Sequence, residues 1–183
     1  MKILLIINQK AGRCNAKTVE QVVTLFRGHD ATVERAVCSA PDDSAKAARS
    51  AVGSAYDRVV VAGGDGTLNK VANELAFTNV PVALLPIGSA NVFAREIGTP
   101  RRVADAVDAI CYAPVRPISL GVLGDRYFVA MAGAGFDAAV TEAVNLKTKA
   151  RFGTTVAYGI AGLKTVLNMP RYTIRITADD QQY

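Results

Sequence analysis

Histidine and cysteine are scarce in this chain, one and three residues respectively, and their scarcity removes whole classes of chemistry. Cys14, Cys38 and Cys111 are odd in number, far apart and in no C-x-x-C pair, so neither a disulfide scaffold nor a zinc site is suggested and a reducing cytosol fits best. His29 follows Gly28 in a polar loop with no second ligand or triad partner near it in sequence, and it reads as an ordinary surface histidine. Long apolar runs are missing too. The opening run ends at Asn8, too short for a secretory signal core. The longest uncharged stretch, Leu75 to Ala94, contains Asn79, Pro81, Pro86, Gly88 and Asn91, which a lipid-spanning helix tolerates badly. A net charge of +5 without a basic-aromatic stripe is a mild attraction for anions, and it argues against a nucleic-acid partner.

Half of the residues are hydrophobic, enough to bury a core in one ordinary domain or in one domain plus part of another. Residues 2–8 form a continuous apolar run, as in a strand covered on both faces, and Val19, Val22, Val23 and Phe26 then recur at helical spacing. Asn15 is placed to cap that helix and Gly28 to end it. A second strand over 31–38, a helical face of Ala45, Ala48 and Val52, and a third strand over 57–62 follow. Next come the face Leu68, Val71, Ala72 and Leu75, a strand over 80–87, and the face Val103, Ala106, Val107 and Ile110. This order predicts an α/β domain over residues 1–113, a mostly parallel sheet with helices on both faces, whose ligands sit beyond the carboxyl ends of the strands. From residue 114 the texture changes: two strands joined near Gly124 and Asp125, a helical region, then the strand-like "RYTIRITA". Residues 114–183 read as the beginning of a β-rich second domain, truncated before its strands are complete.

The stretch "VVVAGGDGTLNK", residues 59–70, closes the third strand with Gly63, Gly64 and Gly66 around Asp65, and Thr67 follows. Glycine at a strand-to-helix junction permits positive φ and close approach of a ligand, and the helix N-terminus offers N–H groups to an anion, so phosphate is the natural guest. A carboxylate among phosphate-facing amides makes sense if Mg2+ or a substrate hydroxyl lies between them; the alternative is that Asp65 bonds the amides of its own turn. Two competing phosphate motifs fail. A dinucleotide fingerprint needs a third glycine where Asn69 stands, and in "AGRCNAKT" both glycines of a P-loop are replaced, by Ala11 and Ala16, which leaves Lys17 a solvated helix residue.

The block "GGDGTLNKVANEL" followed by "LLPIGSANVFAREIG", with Gly88, Ser89, Asn91, Ala94 and Arg95, resembles the diacylglycerol-kinase catalytic family, which includes bacterial lipid kinases and sphingosine kinases. The first block is shared with NAD kinases and phosphofructokinases, whereas the second points to the lipid kinases. "INQKAG" is similar to the family's first loop and "AGAGFDAAV" to a segment of its second domain, so the likeness runs from residue 2 to about 170. The resemblance implies an ATP- and Mg2+-dependent kinase that phosphorylates a lipid hydroxyl. It implies nucleotide contacts at Asn8, Gln9, Lys10, Ala11, Gly12, Ser39, Gly63, Gly64, Asp65, Gly66, Thr67, Leu68, Asn69, Gly88, Ser89 and Asn91, with Asp65 catalytic and the metal ligands unknown. Its partners would be ATP and a lipid met peripherally at a membrane surface, in the cytoplasm, and a homo-oligomer stays open.

The chain departs from the family pattern in several places. Gln9 replaces the usual proline, Lys70 a common glutamate, Ser89 a threonine, and Val92 and Ser119 frequent aspartates. No D-G-E-like acidic motif, the family's base for the lipid hydroxyl, follows Asp137. A non-catalytic nucleotide-binding module, or a kinase of NAD or a sugar, therefore stands as the alternative. Phe128, Met131 and Phe136 suit either core packing or a lipid groove. Lys147, Lys149 and Arg151 suit either a solvated helix end or contact with anionic headgroups.

Overall fold

The computed structural model describes residues 1–12, 14–144, 146–168, 177–178 and 181–182, with side chains described as far as residue 168 except at 146–155. The chain begins as an unbroken alternation: β1 (Lys2–Asn8), α1 (Ala16–Gly28), β2 (Thr32–Cys38), α2 (Asp43–Ala51), β3 (Arg58–Gly63), α3 (Asp65–Leu75) and β4 (Val82–Pro86). Two helices follow, α4 (Val92–Glu96) and α5 (Val103–Tyr112), then the strands β5 (Gly121–Leu123) and β6 (Arg126–Phe128). The last described elements are α6 (Phe136–Ala143), α7 (Leu146–Asn168), β7 (Thr177–Ala178) and β8 (Gln181–Gln182). The chain divides into two compact units, Met1–Met131 and Ala132–Tyr183.

In the first unit four parallel strands pair in the order β2-β1-β3-β4. Strand geometry sends alternate side chains to opposite faces, and both faces are covered. Ile3, Leu5, Ile7, Val60, Ala62 and Leu85 pack with Val22, Val23 and Phe26 of α1 and Ala106, Val107 and Ile110 of α5. Leu4, Ile6, Val59, Val61 and Leu84 pack on the other side with Ala48 and Ala51 of α2, Leu68, Val71 and Leu75 of α3, and Ala94 of α4. Each fully buried Ile, Leu or Val contributes roughly 1.5–3 kcal/mol, which is why the apolar run of β1 lies at the centre and the polar β2 at an edge. Asn15 caps α1 as expected, its Oδ1 accepting from Thr18 N at 2.8 Å. Val52 does not join the face of α2; the helix stops at Ala51 and Val52 is 47% exposed.

His29 is not a solitary surface residue. Its Nε2 lies 2.8 Å from Asp108 Oδ1 and its Nδ1 3.0 Å from the Tyr112 hydroxyl. α1 and α5 cover the same face of the sheet, so the end of α1 comes against α5, and a separation of 79 residues between His29 and Asp108 hides the pair in the sequence.

β5 and β6 form an antiparallel hairpin in which Leu123 faces Arg126 across the Gly124-Asp125 turn. Gly124 sits at φ +61, the conformation that a two-residue hairpin turn asks of its first position. The ring of Phe128 lies over Gly121, where an added Cβ would come within 2.4 Å of three ring carbons.

In the second unit Val140 of α6 and Ala157, Ala161 and Thr165 of α7 are buried. Most of the expected strand "RYTIRITA" and the side chains of Lys147, Lys149 and Arg151 lie outside the described residues. Among the described residues, no helix is long and apolar enough to cross a membrane.

Candidate functional site

The parallel register brings the ends of the four strands level, with Asn8 beside Cys38 and Gly63 beside Pro86. From β1 the chain moves outward to β2 on one side, and β3 lies on the other, so the strand order reverses between β1 and β3. Ligands of open parallel sheets sit at that reversal, and the loops after β1 and β3 are the two richest in expected contacts. They are tied directly: Asn8 Nδ2 donates to Thr67 Oγ1 at 2.7 Å, while Asn8 Oδ1 accepts from Lys10 N at 2.9 Å. The first loop also reaches its other neighbours. Gln9 N donates to Cys38 O at 3.1 Å. A Cβ at Gly12 would lie 3.4 Å from Ser89 Oγ.

Gly63, Gly64 and Gly66 do not take positive φ, contrary to the expectation from the sequence. Gly64 has φ −115 and ψ −175, extended backbone open to any residue. Their use is close approach. A Cβ on Gly88 would stand 2.5 Å from Gly64 Cα and 3.0 Å from Gly64 N, so the loops after β3 and β4 touch backbone to backbone. Gly88 N also donates to Gly63 O at 3.1 Å. A Cβ on Gly63 would meet the Thr67 side chain at 3.0 Å. The left-handed residue of the region is Asn91, at φ 49, one of the few side-chain-bearing types that tolerate it. Asn91 is buried and its Nδ2 donates to Gly88 O at 2.9 Å and Pro86 O at 3.2 Å. Among the described residues its buried Oδ1 has no hydrogen-bond partner.

Asp65 does something neither sequence reading foresaw. Its Oδ2 accepts from Val92 N and its Oδ1 from Phe93 N, each at 3.0 Å, so one carboxylate caps the short helix α4 that opens the second motif. Each oxygen keeps a lone pair for a further donor. α3, the helix Asp65 begins, has Gly64 as its N-cap and no side-chain cap. In its first turn Thr67 N donates back to Gly64 O at 3.0 Å, so among the described residues the N–H groups of Asp65 and Gly66 are the ones that no side chain or helical carbonyl takes up.

Beyond Asp65 lies a cleft of about 270 Å3 lined on one side by Leu68 and Asn69, on another by Val92 and Phe93, and on a third by Val129–Met131. The wall from β6 is held by asparagines that sequence reasoning did not connect to it. Asn69 Oδ1 accepts from Val129 N at 3.1 Å. Asn73 Oδ1 accepts from Tyr127 N at 2.9 Å and its Nδ2 donates to Tyr127 O at 2.8 Å. The available signal was spacing: Asp65, Asn69 and Asn73 stand four residues apart and share a helix face. Met131 is 66% exposed at the cleft and Phe136 46% exposed, so neither is a core residue.

All sixteen expected contact residues gather at this edge of the sheet. Not all present side chains to it: Leu68 is in the core, Thr67 is buried, the polar end of Asn8 is occupied by Thr67 and Lys10, and Asn69 Oδ1 is taken by Val129 N. Burial pushes the thiols of Cys14 and Cys38 above the usual range and so keeps them protonated at neutral pH; no disulfide joins the three cysteines.

The loop carrying Ser39 is anchored by Asp43, whose Oδ2 accepts from Ala40 N at 2.8 Å and Ser39 N at 3.0 Å. These backbone bonds hold its carboxyl below the ordinary range, helped by the charge of Lys46. Lys70 Nζ binds Pro41 O from α3 and steadies the same loop. A depressed native pKa contributes stability that is present above the unfolded value, near 4, and is lost as pH falls through the native one. The gap in melting temperature between the chain and its Asp43→Asn variant is therefore expected to close as pH falls from about 5 through the unfolded value near 4 and on through the lower native one. A gap constant over that window removes Asp43 as the anchor.

The comparisons agree with this geometry. The model of the diacylglycerol kinase catalytic domain matches residues 2–123. A diacylglycerol kinase of Bacillus subtilis is 31% identical over 185 residues, covering 98% of this chain and 60% of that protein. A diacylglycerol kinase of Staphylococcus saprophyticus is 34% identical over 144 residues, covering 78% of this chain and 47% of that protein. The crystal structure of a Bacillus anthracis diacylglycerol kinase superposes on the whole chain with a TM-score of 0.75 at 26% identity, and the chain spans 60% of its length. With both sequence blocks carried on the ends of a four-stranded parallel sheet and the domain model matching residues 2–123, this chain belongs to the diacylglycerol kinase catalytic-domain family.

Proposed function

We propose that this chain is the nucleotide-binding part of an ATP- and Mg2+-dependent lipid kinase, with a diacylglycerol- or sphingoid-like alcohol as acceptor. Residues 1–113 would bind the nucleotide, and residues 114–183 would begin the domain that meets the lipid at a cytoplasmic membrane surface. The observation that carries the reading is the cleft. Six of its nine lining residues are Leu68, Val92, Phe93, Val129, Ala130 and Met131, and it opens against Asp65 at the start of the glycine-rich helix. An NAD or sugar acceptor would leave its hydroxyls unpaired against such walls, whereas a lipid buries its chain there and offers its hydroxyl to the carboxylate. Val92, where the family often has aspartate, belongs to the apolar wall.

In this reading the first turn of α3 and the loops at Asn8–Gly12 and Ser89 hold the phosphates, and Asp65 accepts the hydroxyl proton through a free lone pair while keeping α4 in place. Among the described residues no three His, Cys, Asp or Glu side chains gather. Asp65 would then be the carboxylate that helps hold Mg2+, a role that suits a cation which keeps waters and binds through substrate phosphates. Bound there, Mg2+ would neutralise charge developing on the transferred phosphoryl group.

The test is label transfer from γ-labelled ATP to dioctanoylglycerol, a sphingoid base, NAD and glucose, with calorimetric titration of Mg-ADP alongside. Label on a lipid alone is expected. Label on NAD or glucose alone overturns the lipid reading, and nucleotide binding with no transfer reduces it to a binding module.

A further inference from the structure

We infer that Asp65, Asn69 and Asn73 form a template along one face of α3 that builds the acceptor side of the site, with Asn73 a positioning residue for the lipid rather than for the nucleotide. Three side chains at four-residue spacing cover two helical turns. Each accepts from the backbone of a different stretch: both Asp65 oxygens from Val92 and Phe93, Asn69 Oδ1 from Val129 and Asn73 Oδ1 from Tyr127.

Asn73 binds both the N–H and the C=O of Tyr127, as the backbone of a neighbouring strand would, so α3 stands beside β6 in place of a third strand. A further bond from Asn73 Nδ2 to Asn69 O, at 2.8 Å, fixes its rotamer. The ring of Phe77 stands edge-on to that of Tyr127 with centroids 5.5 Å apart, closing the far end of the same contact. The cleft thus has one fixed wall, α3, and two walls hung on it by side-chain-to-backbone bonds.

Asn73 lines neither the cleft nor the phosphate loops. Eight residues of helix put it about 12 Å from Asp65 along the axis. Its bonds outside α3 run to Tyr127 and on to Val129–Met131, on the acceptor side, whereas its bond to Asn69 O lies within the helix, whose own backbone ladder holds that turn. The occupant assigned here rests on the lipid-kinase reading; the template rests on hydrogen bonds alone.

Asn73→Ala is the direct test, with two readouts. In the absence of ligand, amide exchange at Tyr127 and Val129 should accelerate about tenfold, as loss of a hydrogen bond of ordinary strength brings, while exchange in β1 and β3 stays as before. Binding of dihexanoylglycerol should weaken about tenfold and that of Mg-ADP less than about twofold. Asn69→Ala should likewise accelerate exchange at Val129, and in that readout the double variant should lose less than the sum, since both hold one wall. Unchanged exchange at Tyr127 and Val129 overturns the template. Equal losses for both ligands overturn the assignment to the acceptor side. A parent chain that binds Mg-ADP but no diacylglycerol defeats the lipid reading and this occupant together, and the exchange data then judge the template by itself.

Discussion

Gly88→Ala should cost the chain most of its affinity for Mg-ATP, at least about tenfold, and lower its melting temperature by several degrees. The added methyl would stand 2.5 Å from Gly64 Cα, 3.0 Å from Gly64 N and 2.7 Å from Asn91 Oδ1. The first two are backbone atoms of the opposite loop and cannot rotate away, so the loops after β3 and β4 must part. Overpacking of this kind costs about 1–3 kcal/mol, or about 2–4 °C per kcal/mol in a chain of this size. Gly64→Ala is the control. Its methyl would meet Gly88 Cα at 3.3 Å, and its φ of −115 suits alanine. A shift of a few tenths of an ångström accommodates it, so its fold should persist and any loss of affinity reports a methyl group in the path of the phosphates. Calorimetric titration with thermal melts separates the two. A Gly88→Ala chain that binds Mg-ATP as the parent does would show that the close approach is incidental.

Asp65→Ala should abolish turnover and also disorder the second motif, a larger and more structural loss than the sequence implied. Two charge-assisted bonds to Val92 N and Phe93 N disappear together, each contributing about 1.5–3 kcal/mol. Asp65→Asn preserves one acceptor but turns its amide N–H2 toward a backbone N–H, so it cannot satisfy both donors. It should therefore lower the melting temperature as well as the turnover. Amide exchange at Val92 and Phe93 is the discriminating measurement. If both residues stay protected in Asp65→Asn while transfer is lost, Asp65 acts only on the reactants.

The strands and helices of the first unit were legible because local pattern and burial coincide. The apolar run of β1 needs cover on both faces and has it, and the 3.6-residue spacings of α1, α3 and α5 meet the sheet along those faces. α4 was missed because five residues are too few to show a period. The glycine-rich motif was legible in the sequence, yet the reason for its glycines was not. Positive φ is a property of one residue, whereas the contact of Gly64 with Gly88 involves two loops, each silent about the other.

What the sequence determined by itself is therefore the four strands of the first unit, the helices long enough to show a period and their parallel order, because these follow from hydrophobic period and from the handed geometry of parallel connections. Only the tertiary structure decided what the polar side chains do. Asp65, Asn69, Asn73 and His29 each find their partners 27 or more residues away. A hydrogen bond depends on direction and on distances within a few tenths of an ångström, and neither is written in the order of residues along the chain.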